Sequence, residues 1–292
     1  MTKVRDFLGR YRLTRLIRVG NSCAVWEAIQ DGSNERFALK VLRPDLRGDK
    51  DELGYLKHEF EVAKKLKHPN IIRIHEFKLD KQTPYLVLEL YSEQNMKQAL
   101  RAGVDKYAFY VPKIIEGTAQ ALYHLHENGW AHCDLKPDNL LVSEQGDLKL
   151  IDFTISERLG FRFFGRKKNI RGTRSYMSPE QIRGKGLDAR SDVYSLGCVV
   201  YELLCGRAPY TGSTPTELLE KHLRAAIPSA QVHNDNITVE GANLIRRMMA
   251  KKVTDRPDSM WEFLKEFRSV KLFKKAPKKI EKLDLDEDDK TT

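Results

Sequence analysis

The apolar residues of this chain change their spacing once, near Ser92, and that change limits the folds open to it. Before it, five short runs read as strands: Tyr11 to Ile17, Ala24 to Ile29, Arg36 to Leu42, Ile71 to Phe77 and Tyr85 to Leu90. They are rich in Ile, Val, Leu and aromatics, and turn signals such as Asp31-Gly32 and Asp80 to Pro84 separate several of them. Between the third and fourth, Asp51 to Lys67 sets Leu53, Leu56, Phe60, Ala63 and Leu66 at helical spacing. That helix is expected to stop ahead of His68-Pro69, because the residue before a proline is held out of the helical region. After Ser92 the pattern is helical. Tyr110 to Asn128 is amphipathic with Gly129 as its cap, and Ser191 to Leu204 is apolar nearly all round, as in a buried helix. Weaker helices are expected over Thr214 to Ala225, Glu240 to Met249 and Asp258 to Phe267, and short strands at Leu140 to Val142 and Leu148 to Ile151. The expectation is an α+β chain: a five-stranded sheet with one main helix over residues 1–91, a mostly helical part over 92–270, and a charged, disordered tail over 271–292. There is no internal repeat.

Composition removes several function classes. The 292 residues are 41% hydrophobic and 32% charged, which suits a globular protein with a sizeable core. No apolar run approaches the roughly twenty residues of a membrane span. The longest candidate, Leu196 to Leu204, carries Glu202. Met1 to Arg10 lacks the apolar stretch of a signal peptide. Cys23, Cys133, Cys198 and Cys205 form no Cys-x-x-Cys pair, which excludes a zinc ribbon or redox dithiol and fits a reducing cytoplasm. A net charge of +10 reads either as a solvated basic surface or as attraction to polyanions, nucleotide phosphates or acidic proteins among them. No basic stretch has the interleaved aromatics of a nucleic-acid-binding module.

The chemistry-bearing motif is His132-Cys133-Asp134-Leu135-Lys136-Pro137-Asp138-Asn139, followed by Asp152-Phe153. It sets out a proton acceptor, Asp134, and two hard oxygen ligands for magnesium, Asn139 and Asp152, which are the parts phosphoryl transfer from ATP requires. Further motifs surround it in order. Phe37-Ala38-Leu39-Lys40 offers a strand-borne ammonium. Leu86 to Tyr91 closes the strand series. Gly172-Thr173 leads to Tyr176-Met177-Ser178-Pro179-Glu180, and Asp192 and Asp255-Arg256-Pro257 follow.

On these motifs the chain resembles the eukaryotic-like serine/threonine protein kinases, of the bacterial type, over roughly Tyr11 to Val270. The resemblance implies a bilobal kinase fold with ATP in the cleft between lobes, and Ser or Thr hydroxyls of protein substrates as acceptors. It implies that Lys40 neutralises ATP phosphates and is held by Glu59, with Glu61 a poorer fit. Backbone groups of Glu89 and Tyr91 would bind the adenine edge, Leu88 would be the gatekeeper, and Ile17, Val25, Ala38 and Leu141 would sandwich the ring. Gly20 belongs to the glycine-rich loop. Asp134 would take or orient the hydroxyl proton, Lys136 would stabilise the transferred phosphoryl group, and Asn139 and Asp152 would chelate magnesium. Thr173 would touch Asp134 and Lys136, Glu180 would pair with Arg256, and Asp192 would anchor the loop backbone.

The chain departs from the family pattern in four places. Arg18 and Cys23 stand where two of three loop glycines are expected, Thr154 replaces the glycine after Asp152-Phe153, and Cys133 replaces an arginine that reads a phosphorylated activation loop. We therefore expect activity without loop phosphorylation. The loop itself is basic, with Arg158, Arg162, Arg166, Lys167, Lys168, Arg171 and Arg174 against Glu157, interrupted by Phe161, Phe163 and Phe164. It reads either as a solvated loop or as a docking site for acidic proteins. The missing glycines and Thr154 also leave open a scaffold that binds partners without phosphoryl transfer, and a small-molecule kinase is disfavoured by Thr173 to Glu180. The sequence is expected to be a stand-alone soluble enzyme of the cytoplasm.

Overall fold

Period-two alternation builds the first layer. A computed structural model of the chain describes residues 7–160 and 172–279. Strands β1 (Phe7–Leu8), β2 (Tyr11–Val19), β3 (Cys23–Gln30), β4 (Arg36–Leu42), β5 (Ile74–Asp80) and β6 (Thr83–Glu89) form one antiparallel sheet in the order β1-β2-β3-β4-β6-β5. In β4 and β6, Ala38, Leu86 and Leu88 face the large core, while Leu39, Val41, Tyr85 and Val87 face a smaller cluster on the opposite side. This is the alternation a pleated strand imposes. The sheet thus has six strands where five were expected. The extra one, β1, is a two-residue extension pairing with Tyr11 and Arg12, too short to carry a period.

The helix α1 (Lys50–Ala63) starts at Asp49, whose side chain accepts from the amides of Asp51 and Glu52, and it ends short of the expected Lys67. The strand expected from Ile71 begins only at Ile74. Residues 70–72 instead join the helical part. Ile71 bridges Leu150, the Ile72 amide donates to Leu150 O at 3.0 Å, and the Leu150 amide donates to Asn70 O at 2.7 Å. An apolar run meets its burial requirement equally well on either neighbour, so spacing alone misplaced it.

The remainder follows as β7 (Gln94–Asn95), α2 (Met96–Arg101), α3 (Asp105–Ala108), α4 (Val111–Glu127), β8 (Trp130–Ala131), β9 (Leu140–Val142), β10 (Leu148–Leu150), β11 (Glu157–Arg158), α5 (Pro179–Ile182), α6 (Arg190–Cys205), α7 (Pro215–Arg224), α8 (Val239–Met248) and α9 (Met260–Ser269). Strands β10, β9 and β7 form one small sheet, and β11 with β8 another. Every residue of α6 from Ser191 to Leu204 is buried, as its all-round apolar sequence requires. At Gly197 an added Cβ would lie 2.8 Å from Met248 Cβ, so glycine sets the close crossing of α6 and α8. The large core runs unbroken from Leu86 and Leu88 in the sheet through Leu56 in α1 to Leu122 in α4 and Val199 in α6. Among the described residues no helix is long and apolar enough to cross a membrane.

The expected tail needs correction at its start. Leu272 and Phe273 are buried, Phe273 bridges Ile237, and the Lys274 amide donates to Asn236 O at 2.7 Å. Lysines on either side hid this apolar pair. Residues 280–292 lie outside the described residues, as do the basic and aromatic positions from Phe161 to Arg171. We predict that Phe273→Ala loses about 3 kcal/mol in a denaturant titration, as large-to-small core substitutions do. Unchanged stability would place Phe273 outside the core.

Candidate active site

The first cluster forms because two periodic elements face each other. Lys40 shares the core-side face of β4 with Ala38 and stands opposite Leu86 in register. On α1, the face that carries Leu56 also carries Glu59. Lys40 Nζ lies 2.6 Å from Glu59 Oε2 and 3.2 Å from Asp152 Oδ1. Glu59 is 1% exposed, so its charge must be met inside the protein. Burial pushes its carboxyl above the ordinary range, with Asp152 adding to that and Lys40 opposing it. Burial acts the same way on Asp152, but the Lys40 ammonium and the Thr154 hydroxyl outweigh it and hold Asp152 well below the usual carboxylate range. Burial disfavours the charge on Lys40, yet the two carboxylates keep its pKa above normal. Glu61, the poorer sequence candidate, points away to pair with Lys64 on an exposed face.

The second cluster is set by a buried carboxylate. Asp192, at the start of α6, has no exposed surface. Its Oδ2 accepts from the His132 amide at 2.7 Å and its Oδ1 from the Cys133 amide at 3.0 Å, and His126 Nε2 lies 2.8 Å from Oδ2. Burial raises the Asp192 carboxyl, but His126, His132 and the Cys133 amide together bring it below its ordinary value. This anchoring offsets a strained backbone, since Cys133 sits at φ 66°. The loop then continues into Asp134, whose partners are Lys136, Asn139 and Thr173. Lys136 Nζ reaches Asp134 Oδ2 at 2.6 Å and Thr173 Oγ1 at 2.7 Å, and the Thr173 amide donates to Asp134 Oδ1 at 2.7 Å. Asn139 Nδ2 donates to the Asp134 carbonyl at 2.9 Å. Gly172 takes φ 113°, and a Cβ there would fall 3.2 Å from the Cys133 carbonyl, so only glycine lets Thr173 approach so closely. Behind them Arg256 grips both oxygens of Glu180 at 2.7 and 2.9 Å.

Both clusters line one cleft of about 550 Å³. Gly20 and Val25 line it too, with Arg18, Asn21, Ser22 and Cys23 from the turn between β2 and β3. That turn is closed by Gly20 N donating to Cys23 O at 2.8 Å, and Arg43 Nη1 donates to Asn21 O at 3.2 Å. Ile17, Ala38, Glu89, Tyr91 and Leu141 are not part of this lining. Ile17 is 43% exposed on β2, Ala38 is buried opposite Leu88, and Leu141 lies on β9. The Glu89 amide donates to Arg73 O at 3.0 Å, and the Tyr91 hydroxyl donates to Asp147 O at 3.0 Å. Glu52, Tyr55 and Leu56 also line the cleft and were missed. They precede Glu59 at helical spacing, which was the available signal. Burial pushes the Cys23 thiol up to about 11, leaving it no thiolate reactivity near neutral pH.

The oxygens fit magnesium. Asn139 Oδ1 and Asp152 Oδ2 carry no hydrogen bond from the described residues. No group of three or more His, Cys, Asp or Glu among those residues is placed to hold a metal. Two protein oxygens beside open space suit an ion that keeps waters and substrate phosphates in its shell.

Comparison with known proteins extends these observations. The protein kinase domain model matches residues 11–267. Serine/threonine-protein kinase PrkC of Bacillus subtilis is 32% identical over 243 residues, covering 83% of this chain and 38% of that protein. A probable serine/threonine-protein kinase of Clostridium acetobutylicum is 30% identical over 267 residues, 90% of this chain and 40% of that protein. Serine/threonine-protein kinase PknA of Mycobacterium tuberculosis is 32% identical over 225 residues, 75% of this chain and 52% of that protein. The aligned part thus spans 38% to 52% of the length of these relatives.

Asp192 gives a pH prediction. Its folded pKa is depressed, so its contribution to stability is complete above the unfolded value of about 3.9 and is lost as pH falls below that. Asp192→Asn should be less stable than the parent at pH 7, and the deficit should shrink as pH falls from about 4. A deficit constant with pH, measured by thermal melting, would show that the Asp192 charge does not hold the loop.

Proposed function

The chain belongs to the protein kinase family, and from that premise we propose that it is a serine/threonine kinase that moves the γ-phosphoryl group of magnesium–ATP to protein hydroxyls. The observation that carries this reading is the convergence of Lys40, Asp152, Asn139, Asp134, Lys136 and Thr173 on one cleft. In this reading Lys40 binds nucleotide phosphates, and Glu59 keeps its ammonium aimed at them. Asp134 receives the proton of the incoming hydroxyl. Lys136, already on Asp134 Oδ2, meets the charge that develops on the transferred group. Asn139 and Asp152 would hold magnesium, which would supply positive charge to offset that of the phosphates. Adenine lies against Val25, Ala38, Ile17 and Leu141, with its edge on the backbone of Glu89 and Tyr91. Glu89 would act through its carbonyl, since its amide is already donated to Arg73.

The catalytic loop supports activity without phosphorylation of the activation segment. Cys133 has no charge with which to receive a phosphate, and Asp192, Thr173 and Lys136 hold the loop without one. We assign the enzyme to the cytoplasm, where ATP is available and cysteine side chains stay reduced. Acidic proteins are the acceptors we favour, from exposed Arg174 beside Thr173 and the basic sequence before it. The scaffold reading draws its support from Arg18 and Cys23 at glycine positions of the turn.

Labelled ATP separates the readings. Phosphatase-treated wild type should label Ser and Thr of generic protein acceptors, and Asp134→Asn should label them at least about 100-fold more slowly. Equal labelling by both would remove Asp134 from the mechanism. Labelling that appears only after phosphate is restored to the activation segment would overturn the independence we propose. Labelling by neither would favour the scaffold. Acceptor peptides with acidic flanks should show several-fold higher kcat/KM than neutral ones, and parity would dispose of the acidic preference.

A further inference from the structure

Thr154 stands where the family pattern has glycine, and its hydroxyl closes a ring. Lys40 Nζ contacts Glu59 Oε2 at 2.6 Å and Asp152 Oδ1 at 3.2 Å. Thr154 Oγ1 contacts the same two oxygens, Asp152 Oδ1 at 2.6 Å and Glu59 Oε2 at 3.2 Å. A hydroxyl has one proton, directed mainly at Asp152 by the shorter contact and shared with Glu59 in a three-centre bond. Both donors, Lys40 and Thr154, meet Asp152 at Oδ1.

We propose that Thr154 is a positioning residue that clamps Asp152 and α1 in the arrangement that binds magnesium–nucleotide. The proposal rests on the kinase reading above. Three observations support it. Asp152 sits at φ 69°, a strained conformation for a residue with a side chain, so its placement needs an external hold. The two carboxylates repel each other, and the Thr154 hydroxyl dipole joins Lys40 in offsetting that repulsion. The next turn is tied to the same helix, with His58 Nε2 lying 2.8 Å from Ser156 O. Residues 152–156 therefore meet α1 at two places, and a swing of Asp152 out of the cleft would break both contacts of Thr154. The β-branched side chain also narrows the backbone freedom that glycine would give here.

The test compares Thr154→Val, which keeps the shape and loses the hydroxyl, with Thr154→Ser, which keeps the hydroxyl. Two readouts need no turnover: hydrogen exchange of the backbone amides of residues 152–156 without nucleotide or metal, and the Mg²⁺ concentration giving half-maximal binding of a non-hydrolysable ATP analogue. Thr154→Val should exchange at least tenfold faster and need at least fivefold more Mg²⁺, and Thr154→Ser should stay within twofold of wild type in both. Should the valine variant melt early, Thr154→Gly makes the same comparison with the same expected direction. Wild-type behaviour in the variant lacking the hydroxyl, or a serine variant as impaired as valine, would overturn the clamp. Failure of the kinase reading looks different: wild type would label no acceptor, whatever the exchange rates.

Discussion

The Lys40 ammonium, held between Glu59 and Asp152, is the contact on which the rest of the site depends. It adds a charged tie between three stretches of chain: a strand of the large sheet, the one long helix packed against it, and the turn after β10. Removing one partner would leave a charge buried without compensation, which costs about 3–5 kcal/mol, whereas the complete set supports itself. The same cluster therefore fixes how the sheet and α1 sit over the helical part and presents a cation to the cleft.

The opposite wall follows another logic. Asp134, Lys136 and Thr173 are held by short polar contacts, and their placement derives from Asp192, a carboxylate with no exposed surface at the head of the most deeply buried helix. A strained residue at 133 is maintained because two amides and an imidazole satisfy that carboxylate. One wall is thus organised by exchange of charge across the cleft and the other by a buried anchor beneath it. The proposed chemistry needs both, because phosphoryl transfer depends on placing the attacking oxygen, the phosphates and the metal ligands within ångströms of one another.

Much of the site was legible because its parts are local. The run from His132 to Asn139 carries its spacing with it, and the alternation in β4 puts Lys40 on the correct face without further information. Glu59 was preferred to Glu61 through the register that His68-Pro69-Asn70 gives the helix under the family resemblance, and its burial agrees with its place on the face that carries Leu56. What was not legible lies between residues distant in sequence. Nothing in the chain signals that His58 meets Ser156, 98 positions away, or that Thr154 touches Glu59, 95 away. The replacement of a glycine by Thr154 gives no sign of its hydroxyl's partners for the same reason. At the level of the fold, β1 was too short for a pattern, residues 70–72 served a neighbour that spacing cannot identify, and lysines masked the buried pair Leu272 and Phe273. Each miss is a case in which tertiary contact decided what local preference left open.

The central claim is that the Lys40 cluster and the metal ligands serve a single bound nucleotide. The most direct measurement replaces magnesium with paramagnetic Mn²⁺ and follows its binding, together with an ATP analogue, by electron paramagnetic resonance. Wild type should bind Mn²⁺ only weakly alone and tightly with nucleotide, and both Lys40→Met and Asp152→Asn should weaken the ternary complex at least tenfold. A ternary complex of unchanged affinity in both variants would contradict the account.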